Sequence, residues 1–150
     1  MIRFEKTLTP CVADEVTAWH AVHGWLWNVV VYENTDQHGP TRTDTIGVFY
    51  CTLLCGDGAV VHFDTVGPIA PLHLLAAMKK GIRMIAPYCG VIFATIPEDR
   101  AKLIRVAIRL GFGLTDGGYL RDGQKIALLK FFAPRKNYIT SKTPTQERTT

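Results

Sequence analysis

AVVHFDTVGPIAPLHLLAAMKKGIRMIAPYCGVIFATIPEDRAKLIRVAIRLGF, residues 59–112, carries the strongest folding signal in the chain. It predicts a strand over Ala59–Val66, a Gly/Pro loop and a helix over Pro71–Ala86. A second strand (Gly90–Thr95) and a second helix (Glu98–Leu110) follow, and the helix stops at Gly111-Phe112. Strand, helix, strand, helix at this spacing is a βαβα unit, with two parallel strands and helices packed on them. The loop leaving the first strand leads into a helix N-terminus, where free amides and the helix dipole favour an anion. Leu74, Leu75, Met78, Ile82 and Ile85 form the apolar stripe of the first helix, a core face. The second helix carries a wider apolar sector (Ala101, Leu103, Ile104, Val106, Ala107, Ile108, Leu110), which predicts burial on two sides. Pro97, Glu98 and Asp99 read as its start.

Working outward, Gly56-Asp57-Gly58 is a hairpin turn that feeds Ala59–Val66 from a strand over Thr45–Cys55. Asn34–Thr43 (NTDQHGPTRT) has turn composition and is expected to be a loop of about ten residues. Trp25–Tyr32 (WLWNVVVY) is aromatic and β-branched, hence strand. Ile2–Leu8 alternates like a half-buried strand. Between them Thr9-Pro10 offers a helix start, and Val12, Val16, Trp19 and Val22 a near-helical stripe. On the C-terminal side Asp122-Gly123 is a two-residue turn between Gly113–Arg121 and Gln124–Phe132.

The chain of 150 residues is one domain's worth, with ordinary apolar content. MIRFEKTLTP lacks the apolar core and cleavage site of a secretion signal. No apolar run approaches the roughly 18 residues that span a bilayer. Cys11, Cys51, Cys55 and Cys89 lie in apolar segments, as buried free thiols of a reducing compartment do. Cys51 and Cys55, on one face of a strand, are too far apart to bridge. The net charge is +4, of which the tail 133–150 (Arg135, Lys136, Lys142 and Arg148 against Glu147) holds +3. The remaining 132 residues carry only +1, so the folded body offers no basic surface for nucleic acid. That Thr/Lys/Pro-rich tail, beyond a folded domain over 1–132, is expected not to fold alone.

His20 and His23 are one turn apart, but a metal pair needs two more ligands and none stands at a recognisable spacing, so they read as surface or boundary histidines. His62 and Asp64 share one face of an apolar strand. They are either a half-exposed polar pair or an acid/base group beside a binding cleft.

The order β, α, β, β, β, α, β, α, β, β resembles the GNAT-type N-acetyltransferases, over roughly Ile2 to Phe132. The helix ending in Leu110-Gly111-Phe112 and the hairpin with Tyr119 and Asp122-Gly123 carry the closest likeness. The resemblance implies an α/β (α+β) fold with a central mixed sheet: an antiparallel N-terminal meander, the βαβα unit and a C-terminal hairpin. It further implies that Ala59–Val66 would hold the pantetheine arm of acetyl-CoA and the next loop its pyrophosphate. That would make Thr65, Val66, Gly67, Ile69 and Ala70 the cofactor-binding residues and Asp64 the candidate base. The loop departs from the family pattern Arg/Gln-x-x-Gly-x-Gly/Ala. It lacks the leading Arg or Gln and has one glycine, and Pro68 and Pro71 remove two amide donors. Ala107 stands where many members carry a general-acid tyrosine, and Asp99 near a family asparagine.

The run Ile85–Phe112 is similar to the degenerate GNAT-like proteins of tailed-phage virion and morphogenesis modules. That likeness implies a protein acting without efficient acetyl transfer and with no cofactor, in the host cytoplasm or virion, without membrane insertion. Its partners would be proteins of an assembly, reached through the tail 133–150. An N-acetyltransferase using acetyl-CoA on a primary amine is the alternative, and a small host-interaction module the third.

Overall fold

A computed structural model describes residues 1–35, 39–54, 56–115 and 117–133. Eight strands and three α-helices follow in the order β1 (Ile2–Lys6), α1 (Glu15–Val22), β2 (Leu26–Thr35), β3 (Gly39–Leu53), β4 (Gly58–Thr65), α2 (Pro71–Ile85), β5 (Val91–Pro97), α3 (Ala101–Arg109), β6 (Gly113–Leu114), β7 (Tyr119–Arg121) and β8 (Gln124–Phe132). The strands are hydrogen-bonded in the order β1-β2-β3-β4-β5-β8-β6, with β7 also on β8. The mixed α+β sheet expected from the sequence is present. The described residues divide into two compact units, residues 1–52 with 62–81 and residues 53–61 with 82–133.

In the first unit β1 and β3 flank β2, both antiparallel to it. Leu26, Val29, Val30 and Val31 of β2 are buried, as are Ile46, Val48, Phe49, Tyr50 and Cys51 of β3. The β2–β3 ladder extends to Thr35↔Gly39, so the segment Asn34–Thr43 is mostly strand and not the ten-residue loop its composition suggests. Register shifts after Val29 and Val31 add twist to this long ribbon, and cross-strand bonding outweighs turn propensity there.

Helix α1 corrects two expectations. It starts at Asp14, not Thr9-Pro10, because Asp14 and Thr17 form a capping box: the Thr17 amide donates to Asp14 Oδ1 at 2.8 Å, and the Asp14 amide to Thr17 Oγ1 at 3.0 Å. Thr9 and Cys11 are instead tied to β2 through Asn28, whose Oδ1 accepts from the Cys11 amide. The buried face is Thr17, His20 and Ala21, while Val16, Trp19 and Val22 are exposed. Val12, which precedes the helix, packs on the cluster of Ala21, Leu26, Val48 and Tyr50.

In the second unit β4 runs parallel to β5 over Gly58↔Val91 to Val61↔Ala94, and β8 lies antiparallel on the other side of β5. Ile92, Ile126 and Leu129 are fully buried. Ile85 and Cys89, near the 3-10 turn Ala86–Tyr88, are also buried. Asp57 fastens the end of this turn, its carbonyl accepting from the Gly90 and Val91 amides at 2.9 and 3.1 Å.

Helix α3 begins at Arg100 with no side-chain cap, so Pro97 ends β5 and Glu98 and Asp99 form the turn before the helix. Of its apolar sector only Ala107 is fully buried, and Ile108 is exposed; the expected burial on two sides is absent among the described residues. The C-terminal hairpin closes at Asp122 (φ 51°) and Gly123 (φ 78°), the primed turn that Asp-Gly favours. Its first arm is two short strands, β6 and β7, rather than one. Cys51 and Cys89 are buried free thiols, but Cys11 is exposed, against expectation. Cys55 and the tail beyond Ala133 lie outside the described residues.

Candidate functional site

Asp64 and His62, singled out in the sequence, are both half-buried on β4. The structure adds a residue that the sequence reading missed. Tyr50 of β3 donates its hydroxyl to Asp64 Oδ2 at 3.1 Å, and its ring stacks on His62 at 4.9 Å and 18°. The Val66 amide donates to the Ile46 carbonyl at 2.9 Å. Continued along the strands, that register sets Tyr50 opposite His62 and leaves Asp64 two residues on, on the same face. The signal was available in the Gly56-Asp57-Gly58 turn, since counting outward from Gly56 pairs the same residues.

A second histidine extends the cluster. His20 lies 4.8 Å from the Tyr50 ring and is buried. Its Nδ1 is 2.8 Å from the Val16 carbonyl, which can only accept, so Nδ1 carries the proton. In the neutral ring Nε2 then accepts from the Thr52 hydroxyl at 2.9 Å. His20 is therefore a fixed, buried side chain and not the surface or boundary histidine expected. His23 is exposed and stacks on Trp19 at 4.0 Å. Among the described residues no group of three or more His, Cys, Asp or Glu side chains is arranged to hold a metal ion.

The loop after β4 has little to offer an anion. Thr65, Val66, Gly67 and Ala70 are exposed and Ile69 is half-buried. Of their amides, that of Val66 is committed to Ile46, and Pro68 and Pro71 have none. The Ala70 carbonyl accepts from Leu74 at 3.0 Å and opens α2. Gly67, Ile69 and Ala70 remain as possible donors, and the loop sequence 66–72 contains no arginine or glutamine. Within the second unit, Ala107 is wholly buried in α3 and brings no hydroxyl.

What the arrangement can do chemically is limited but definite. Asp64 is a carboxylate steadied by one phenol, able in principle to take a proton from an ammonium group. The residues implied for acetyl-CoA are contiguous on one strand end and loop, and the donor set is thin for a pyrophosphate, which several amides or cations together normally hold.

No family model matches the chain, and no curated protein matches it. Solved structures do. A GNAT family acetyltransferase from Elizabethkingia anophelis with acetyl-CoA bound superposes with a TM-score of 0.59 at 11% identity, covering 88% of this chain and 97% of that one. A spermidine N-acetyltransferase chimera from Vibrio cholerae and hSSAT gives 0.51 at 13%, covering 82% and 75%. A GNAT-family acetyltransferase from Bordetella pertussis gives 0.52 at 15%, covering 71% and 64%. The chain has the GNAT fold. At such identities the likeness extends to the fold and no further.

Proposed function

We propose that the chain is a GNAT-fold protein that works through protein contacts, as a virion-associated or morphogenesis component of a tailed phage, without efficient acetyl transfer. The observation that carries this reading is the loop Val66–Pro71. One amide is spent on Ile46, two positions are proline, and the loop itself holds no Arg or Gln to assist the three amides left. Ala107, buried where a general acid would stand, supports it. So does the large exposed apolar surface of the small helix α1. The partners are proteins of an assembly, with the tail 133–150 as the segment that reaches them. Isothermal titration with acetyl-CoA tests the reading: no measurable heat is expected, and micromolar binding overturns it.

A second reading rests on the Tyr50–Asp64 bond. In it the chain is an N-acetyltransferase in which acetyl-CoA lies along Thr65, Val66, Gly67, Ile69 and Ala70. Asp64, directly or through a water, would accept the proton of a primary amine whose nitrogen bonds to the thioester carbonyl carbon as the C–S bond breaks, the CoA thiolate leaving to be protonated from solvent. Bound acetyl-CoA would supply the activated acetyl group. Tyr50, by donating to Asp64, would orient that carboxylate. This reading expects turnover that falls at least a hundredfold in Asp64→Ala; unchanged turnover removes Asp64 from the mechanism.

A further inference from the structure

The antiparallel ladder of β5 and β8 ends at Pro97↔Ile126, and one more bond continues it: the Glu98 amide donates to the Lys125 carbonyl at 2.8 Å. Glu98 and Lys125 are thus directly opposite each other, on the same side of the sheet as Ala127. Opposite charges at such positions ordinarily close on each other. Among the described residues neither forms an ion pair. Both side chains instead line a cavity of about 830 Å³ that lies wholly within the second unit. Its other walls include Ile104 of α3, Leu114 of β6 and Leu120 of β7, with Thr115 and Tyr119 adding hydroxyl groups. Leu114 and Leu120 are 60% and 68% exposed, a large apolar area left in water beside two charges of opposite sign that have no ion-pair partner among the described residues.

We propose that this cavity binds a zwitterionic amino-carboxylate with an apolar side chain, an α-amino acid in the simplest case. The ligand's ammonium pairs with Glu98 and its carboxylate with Lys125. Its side chain lies against Ile104, Leu114 and Leu120. A pocket of this size that combines apolar walls with polar groups able to fix orientation suits a small molecule. A ligand with one charge leaves the other protein charge unanswered, so the pair selects for both ends at once. The proposal goes beyond the reading of the β4 loop and does not depend on acetyl-CoA.

The test is a ¹⁵N–¹H NMR titration of the full chain with L-phenylalanine, without acetyl-CoA. The comparison ligands are phenethylamine, which lacks the carboxylate, and 3-phenylpropionate, which lacks the ammonium. Saturable shifts at Glu98, Leu114, Leu120 and Lys125 are expected, with each comparison ligand at least tenfold weaker. Glu98→Gln and Lys125→Met should each weaken L-phenylalanine at least tenfold while the thermal midpoint stays in place, both side chains being exposed. Absence of saturable shifts overturns the proposal. So does equal binding of either comparison ligand, or unaltered affinity in both variants. Acetyl-CoA that binds, or does not, leaves this result standing.

Discussion

At the scale of single residues, close approach and burial set the clearest constraints. A side chain at Gly90 would collide with the carboxylate of Asp57, whose own backbone holds the Gly90 and Val91 amides. Gly90→Ala must displace Asp57 or the start of β5, so it should destabilise by about 1–3 kcal/mol in denaturant melts. Cys89 beside it is buried, and that burial, with the nearby charge of Asp57 as a lesser cause, pushes its thiol up to about 11. A raised folded value means the unfolded chain loses this proton first. Its stabilising effect is complete below the ordinary thiol range and is lost as pH rises through that range towards about 11. Stability should therefore decline over that window, and decline less in Cys89→Ala; parallel declines would remove Cys89 as the cause. Most of this was out of reach of the sequence. The apolar setting of Cys89 was legible, but Asp57 read only as a turn residue, because its contacts with Gly90 join two segments over thirty residues apart.

Elements show why local pattern succeeded in some places and failed in others. Asp122-Gly123 was readable because a two-residue turn is set by its own φ angles. Gly123→Ala should cost about 1–2 kcal/mol, since φ is 78° there. In helix α1 the valine and tryptophan stripe faces outward, whereas Thr17 and His20 are inward and have their bonds satisfied. Satisfied polar groups can be buried at little net cost, and periodicity alone does not reveal that satisfaction. His20→Ala, which strands Thr52 and removes a ring from Tyr50, should therefore destabilise by about 1–3 kcal/mol. Val16→Ser and Val22→Ser should stay within about 0.5 kcal/mol. Equal losses from both kinds of variant would contradict the assigned face. Helix α3 was over-read in the same way: a wide apolar sector promised burial on two sides, yet only Ala107 is fully enclosed.

For the whole molecule, the succession of elements was legible because strand and helix periods are local properties that survive without knowledge of neighbours. The candidate site was legible in part. Asp64 and the loop residues could be named from their place after β4, while Tyr50 and His20 come from other elements and needed the register. What the GNAT fold leaves open is whether the loop still holds a cofactor, and the spent Val66 amide and two prolines argue that it does not. The most direct measurement is a ¹⁵N–¹H spectrum of the full chain titrated with acetyl-CoA into the millimolar range, read at Gly67, Ile69 and Ala70. These signals are predicted to stay in place or move without saturating; saturable shifts at micromolar acetyl-CoA would contradict the account.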